Sequence, residues 1–474
     1  MSQTTAHQPR FIAVLDVGKT NVKVVLHDLA TGADVISHSH PNAARQDGPY
    51  PHADVEGIFD FVRAGLTDIA RAAPVDAISV TSHGACAAIL GEDGLALPVL
   101  DYEYDGSAET AAAYDLIRPA FAETFSPRLP LGLNLGAQFF WQQQRFKADF
   151  ARARHILTYP QYWAWRLSGG RASEATSLGC HTDLWAPMSQ DFSSLVQRQG
   201  WRPLFPPLRR AVDQIGSLRA ELAQGCGLPA GIPVHCGIHD SNASLLPHLL
   251  SQTAPFAVVS TGTWVVCFAI PGTLEHLNAS RDTLANVDAF GRAVPSARFM
   301  GGREYAQLTA GLPDETATLA SDFRLLEEVL QRQLMVLPSL VPGSGPFPHS
   351  QGGWRNATGA TPAMKRIAAS LYLALMTQTC LALIGADGPT MIEGPTAKNA
   401  LFCQLLGLLT GRPVHPCLGT TGTSAGAALL ANPNAKHAAQ TSPSIGPTAI
   451  SGIEPDLLQA YATQWRAAIG NPTC

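Results

Sequence analysis

Residues 11–15 form an uninterrupted apolar run, the pattern of a buried strand, and a polar turn containing Gly18 follows it. The pattern then predicts a second strand at 22–26, a turn at Thr31-Gly32 and a short strand at 34–37. Ile58, Phe61, Val62, Leu66 and Ile69 recur at helical spacing, and 77–81 returns to strand character. The order is three antiparallel strands, a helix and a strand. Halfway along the chain the opening recurs, with a strand at 257–260, a tight polar turn Thr261-Gly262-Thr263 and a strand at 265–270. Two such hairpins suggest a duplicated domain rather than a short-period solenoid.

Pro- and Gly-rich connectors occupy 203–207 and 225–233, and 338–353, dense in Pro, Gly and Ser, reads as a long loop. A helix is predicted from Thr361 to about 384, a strand at 390–392, a helix at 396–410, a short strand around Val414 and a helix at 421–430. The chain is polar and turn-rich after Asn432, until a final helix at 455–469.

At 474 residues the chain exceeds one ordinary domain and fits two or three. A composition of 46% hydrophobic and 15% charged residues supports sizeable cores and excludes disorder. The net charge of −5, with mixed signs, gives no footprint for nucleic acid or an anionic membrane. The nine cysteines stand singly, with no CxxC pair and no His-rich tract nearby, so neither zinc nor a disulfide framework is expected. Residues 1–10 lack the layout of a secretory signal and no apolar run spans a bilayer, so a cytoplasmic protein is expected.

Four segments carry candidate chemistry. In the run from Asp16 to Lys23 an acidic residue ends a buried strand. Gly18 lets backbone approach a ligand, while Lys19, Thr20 and Lys23 offer donors and positive charge. Such a turn can hold polyphosphate while Asp16 positions a hydrated Mg²⁺, or it is an ordinary hairpin turn. It is not a P-loop, because Ala13 stands where that motif needs glycine and a strand, not a helix, follows Thr20. Ser260 to Trp264, with Gly262 and Thr263, is a second small-residue turn able to face a phosphate tail. In Gly237-Ile238-His239-Asp240-Ser241-Asn242, Asp240 follows a strand-like run at 233–236. It either accepts the proton of an alcohol during phosphoryl transfer or caps a helix at 242–250. In Glu393 to Asn399 a strand ends in Gly394-Pro395 and Thr396 stands where it can cap the next helix. Adenosine can pack on this turn, or it is a capped loop.

Taken in order over about residues 11–431, these segments resemble the FGGY family of carbohydrate kinases, within the sugar kinase, Hsp70 and actin superfamily. Asp16 to Lys23 is similar to the family's first phosphate motif and Ser260 to Trp264 to its second. Gly394 to Asn399, with Gln404 and Gly411 to Val414, is similar to its adenosine segment, and Thr423 to Ala428 to its small-residue helix. The Gly-Thr-Trp turn and the His239-Asp240 pair are in the style of rhamnulose- and fuculose-type kinases. The adenosine turn departs from the pattern, with Glu393-Gly394-Pro395-Thr396 in place of a glycine cluster.

The resemblance implies an α/β fold of two actin-like (ribonuclease H-like) lobes, each a mixed sheet flanked by helices, with the active site in the interdomain cleft. It makes 1–250 the sugar-binding lobe with the catalytic base Asp240, and 251–474 the nucleotide lobe. Asp16, Gly18, Lys19, Thr20, Lys23, Gly262, Thr263, Gly394, Pro395, Thr396 and Asn399 are then nucleotide and phosphate contacts, with Asp16 holding metal through water. His83, Glu103, Gln138 and Asp240 are the implied sugar contacts, with Asp101 and Asp105 as alternatives in register to Glu103. The implied activity is phosphorylation of a ketose, a pentulose or deoxyhexulose such as rhamnulose, fuculose, ribulose or xylulose, at a terminal hydroxyl. Its cofactors are ATP and Mg²⁺. The partner is a small sugar, without nucleic acid or membrane, and a homodimer is left open. A sugar or nucleotide sensor on the same scaffold and an actin-like ATPase are the rival classes; sugar-dependent ATP consumption separates them from a kinase.

Overall fold

The computed structural model describes residues 8–313, 319–418, 422–434, 445–446 and 455–470. The expectations for the start of the chain and for most of the stretch after Asn432 lie outside these residues in whole or part. Two compact units emerge. The first is Met1–Ser251 with Ala285–Ala293 and Thr420–Ala439; the second is Gln252–Leu284, Val294–Gly419 and Gln440–Cys474. The sequence division into 1–250 and 251–474 leaves out these excursions of the chain back to the first unit, because no composition shift marks them.

In the first unit β1 (Phe11–Val17), β2 (Asn21–Asp28) and β3 (Ala33–Pro41) form an antiparallel meander. Helix α1 (Val55–Ala72) then leads to β4 (Ala77–Ser82), parallel to β1. Later come β5 (Gln214–Ser217), β6 (Pro233–His235), β7 (Ile238–His239) and α2 (Asp240–Ser251), giving the sheet order β5-β6-β4-β1-β2-β3 with β7 also on β4. Both faces are covered, so β1 reads as continuously apolar. Ala13, Leu15 and Val17 join Ile58, Val62, Leu66 and Ile69 of α1 in one core, while Ile12 and Val14 join Ala243, Leu246 and Ala427–Leu430 in another. Each fully buried aliphatic of that α1 stripe contributes about 1.5–3 kcal/mol. The helix Thr423–Ala428 lies close to α2: a Cβ on Gly426 would fall 1.8 Å from the Ala243 carbonyl oxygen, which only glycine permits.

The second unit repeats the order. Strands β8 (Phe256–Thr261), β9 (Val265–Ile270) and β10 (Ala293–Phe299) are antiparallel, and after α3 (Gly301–Thr309) and α4 (Pro362–Leu383) β11 (Thr390–Glu393) returns parallel to β8. Helix α5 (Ala400–Thr410) and β12 (Val414–Pro416) follow, and α6 (Pro455–Ala468) packs on this unit's core. Helix α4 is long and apolar enough to cross a membrane, yet its side chains are mostly buried among those of α5 and α6. It begins where expected, with the Thr361 side chain accepting from Met364 N. The expected helix at 396–410 is interrupted. Pro395–Lys398 is a 3-10 turn, and Asn399, not Thr396, caps α5 by accepting from Phe402 N at 3.0 Å. The eight cysteines of the described residues are all free and buried.

Candidate active site

In the first unit the end of β1 delivers Asp16 to a buried position opposite Lys23 on β2 and beside Thr81 on β4. Its Oδ2 accepts from the Thr423 hydroxyl and, at 3.1 Å, from the Ser424 hydroxyl. Burial pushes this carboxyl above its ordinary range; the bond from Thr423 and the Lys23 charge oppose that shift, while the Asp240 charge adds to it. Asp16 and Asp240 are thus electrostatic neighbours. Gly18 closes the turn, its N–H donating to the Asn21 carbonyl at 2.9 Å, and its carbonyl accepts from the Asn42 side chain at 2.7 Å. Thr20 is exposed and Lys19 points away from the turn's backbone, its ammonium bonded to Asp101 and 3.4 Å from Glu103. Of the acidic residues at 101–105, Asp101 hydrogen-bonds Lys19 and the exposed Glu103 forms a second ion pair with it.

Asp240 opens α2 directly after β7. Its Oδ1 accepts from Ser241 N at 2.6 Å and from the Ser241 hydroxyl at 3.2 Å, and lies 3.2 Å from His239 Nε2. Among the described residues Oδ2 has no hydrogen-bond partner. The helix-cap alternative for Asp240 fails in its usual form, because the carboxylate bonds the adjacent N–H and not those two or three residues on.

His83 is buried against the Tyr102 and Tyr159 rings, and its Nδ1–H donates to the Gly84 carbonyl at 2.8 Å. Burial pushes its pKa down, so the ring is neutral and Nε2 is left as an acceptor. Gln138 is also buried, and its amide NH₂ donates to the carbonyls of Gly132 and, at 2.7 Å, Ala85. It braces two loops of the backbone.

In the second unit a cavity of about 780 Å³ is lined by Gly262, Thr263, Pro395, Thr396 and Asn399. That volume is within the range of small-molecule sites. Gly394 sits at φ +80°, and a Cβ there would fall 1.9 Å from the Thr261 carbonyl oxygen, which requires glycine. Thr396 N donates to the Thr261 hydroxyl at 3.1 Å, locking the adenosine-type turn to the second hairpin. The other wall, Gly302, Arg303 and Ser370, has no counterpart among the sequence-based expectations, and Lys398 joins the lining from within the expected 394–399 turn. A Cβ on Gly302 would fall 1.8 Å from the Gly262 carbonyl oxygen, so the α3 N-terminus meets the hairpin turn backbone to backbone. The Gly301-Gly302 pair directly after β10 was the available signal.

These features fit a nucleotide and its metal: glycines let backbone approach a phosphate chain and cationic side chains stand at the rim. Among the described residues no three His, Cys, Asp or Glu side chains cluster as metal ligands. A single buried carboxylate such as Asp16 suits Mg²⁺ held through water rather than by direct ligation from several side chains.

The same sheet order recurs in both units, each a mixed sheet flanked by helices, which is the actin-like arrangement. Residues 253–440 match the family model described as carbohydrate kinase FGGY, C-terminal domain, and residues 11–247 match the FGGY family of carbohydrate kinases, N-terminal domain. The chain belongs to the FGGY family of carbohydrate kinases. It is similar to an L-fuculokinase of Salmonella typhi, 28% identical over 275 residues, 56% of this chain and 57% of that protein. The chain thus spans little more than half the length of the curated relatives it matches. A carbohydrate kinase from Novosphingobium aromaticivorans is 35% identical, with a TM-score of 0.89 over 98% of this chain and 99% of that one. A xylulose kinase from Lactobacillus acidophilus shares the fold at 16% identity, with a TM-score of 0.78 over 98% of this chain and 99% of that one.

Proposed function

We propose that this protein transfers the γ-phosphoryl group of ATP to a terminal hydroxyl of a small ketose. The observation that carries the reading is the Asp240 carboxylate, with one oxygen fixed by two donors of Ser241 beside His239 and the other unengaged among the described residues. A carboxylate so held is oriented to accept the proton of an attacking alcohol. MgATP, when bound, supplies the phosphoryl group and the divalent charge. Gly18, Gly262, Thr263, Gly394, Pro395, Thr396 and Asn399 would hold the nucleotide, with Arg303 and Lys398 adding charge at the rim. Asp16 would orient the waters on Mg²⁺, aided by the Thr423 and Ser424 hydroxyls that fix its Oδ2. Lys23, facing Asp16, would offset its charge before metal arrives. His83 Nε2 would accept a sugar hydroxyl. Lys19 and Glu103, tied to one another, would border the sugar, and Gln138 would act through the loops it braces.

The partial likeness to L-fuculokinases supports a deoxyhexulose, and the family as a whole a pentulose as the next class to try. ADP release measured across ketoses, aldoses and polyols tests the reading. We expect turnover that requires the added sugar and is largest with one ketose. Sugar or nucleotide binding without turnover for any of them would instead make the protein a sensor.

A further inference from the structure

Among the described residues β7 pairs only with β4, so one edge of the two residues that lead into Asp240 has no strand beside it. His239 is buried, and a buried peptide N–H on such an edge needs a partner from elsewhere. It finds one far back along the chain. The His239 N–H donates to the Thr176 hydroxyl at 3.0 Å. Thr176 is itself fully buried, in the short helical turn Ala175–Leu178.

A hydroxyl carries one proton and rotates to suit its partners, so its lone pairs have a fixed direction only when that proton is committed. Glu174 commits it. The Thr176 hydroxyl donates to Glu174 Oε2 at 2.5 Å, which leaves the oxygen's lone pairs to accept from His239. The buried carboxylate is fixed in turn: Oε1 accepts from Thr176 N at 2.9 Å, and Oε2 accepts from the Ser177 N–H at 3.1 Å and the Ser177 hydroxyl at 3.3 Å. The residues just before are held from a second helix. Gln161, fully buried in the helix Tyr159–Ser168, donates its amide to the Cys236 and Gly237 carbonyls, both at 3.1 Å. Main-chain groups of Cys236, Gly237 and His239 are thus pinned by side chains of two other segments, and Asp240 is the next residue. Apolar side chains would fill this space as well. What a fully bonded polar chain adds is a single direction for the peptide it holds.

We propose that Thr176 is a positioning residue for Asp240: its hydroxyl, turned by Glu174, fixes the His239 peptide and so sets the direction in which the Asp240 carboxylate leaves the end of β7. The inference rests on Asp240 being the base.

Two variants of the full chain test it. Thr176→Val keeps the shape of the side chain and loses the hydroxyl, and Thr176→Ser keeps the hydroxyl. Thr176→Val lowers kcat by about 10- to 100-fold, the effect of a base held slightly out of line. Sugar affinity by calorimetry and the KM for ATP stay near those of wild type, and Thr176→Ser recovers most of the rate. Amide hydrogen exchange of the peptide containing His239 is at least about tenfold faster in Thr176→Val and close to wild type in Thr176→Ser. A kcat within about twofold of wild type in Thr176→Val, or unaltered exchange at His239, overturns the proposal. Loss of sugar and ATP binding together with turnover, or an equal loss in Thr176→Ser, also overturns it, because either marks a role in packing alone. If the wild type lacks sugar-dependent turnover, the kinase reading fails, while hydrogen exchange still decides whether Thr176 holds the peptide.

Discussion

At the scale of single residues, the acidic pair Asp16 and Asp240 was legible in the sequence because each directly follows or ends an apolar run, where a side chain leaves the sheet. Their partners were not. Thr423 and Ser424 reach Asp16 from more than 400 positions along the chain, and no local pattern encodes that pairing. Gln138, expected on a substrate-side loop, lies in the helix Leu135–Arg145, and its amide is taken up by two backbone carbonyls, which spacing could not foretell. The Asp16 environment leads to a stability prediction. A carboxyl whose folded-state pKa is raised binds its proton more tightly when folded, so its contribution is present below the unfolded value and lost as pH rises through the folded one. Above the ordinary carboxyl range the buried Asp16 is therefore a burden on the ligand-free protein. Asp16→Asn is expected to raise the melting temperature by about 2–4 °C at pH 7 while removing turnover and its Mg²⁺ dependence. A lower melting temperature would show that the bonds from Thr423 and Ser424 outweigh burial.

At the scale of elements, the meander, the helix and the parallel return strand of the first unit follow the periodicity, most closely in β1, which is buried almost throughout and whose apolar run is unbroken, and least in the largely exposed β3. Boundaries slipped where polar residues decide them. Strand β3 extends over Ala33–Pro41, beyond the expected 34–37, because pairing with β2 carries its exposed, polar residues. Helix 396–410 splits because Asn399 competes for a cap position better than Thr396 does. The turn before it gives a second prediction. Gly394→Ala forces a side chain into a left-handed backbone and onto the Thr261 carbonyl. It should cost about 1–3 kcal/mol in chemical denaturation and weaken ATP binding in calorimetry, with sugar binding unaffected. Unchanged ATP affinity would take this turn out of the nucleotide site. The C-terminal helix is tied down by Trp465, fully buried and donating its ring N–H to the Val336 carbonyl at 2.7 Å. Trp465→Ala should cost about 3–5 kcal/mol, read as a lower denaturation midpoint; a loss below about 1 kcal/mol would mean the helix contributes little to the unit.

At the scale of the whole molecule, two hairpins far apart in sequence foretold two units of one topology, β3-β2-β1-β4 and β10-β9-β8-β11, each with its own core. The repeat was readable because the pattern needs only strand polarity and a glycine turn. The exchange of segments between units was not, because small residues such as Gly426 reveal their packing only in three dimensions. The proposed reaction turns on Asp240 removing the proton of a sugar hydroxyl in an ATP-dependent transfer. The most direct measurement is sugar-stimulated ADP release by Asp240→Asn beside wild type, with sugar binding to both followed by calorimetry. A loss of at least about 10²-fold in turnover with sugar affinity largely retained is expected; turnover near that of wild type would contradict a role for Asp240 as the base.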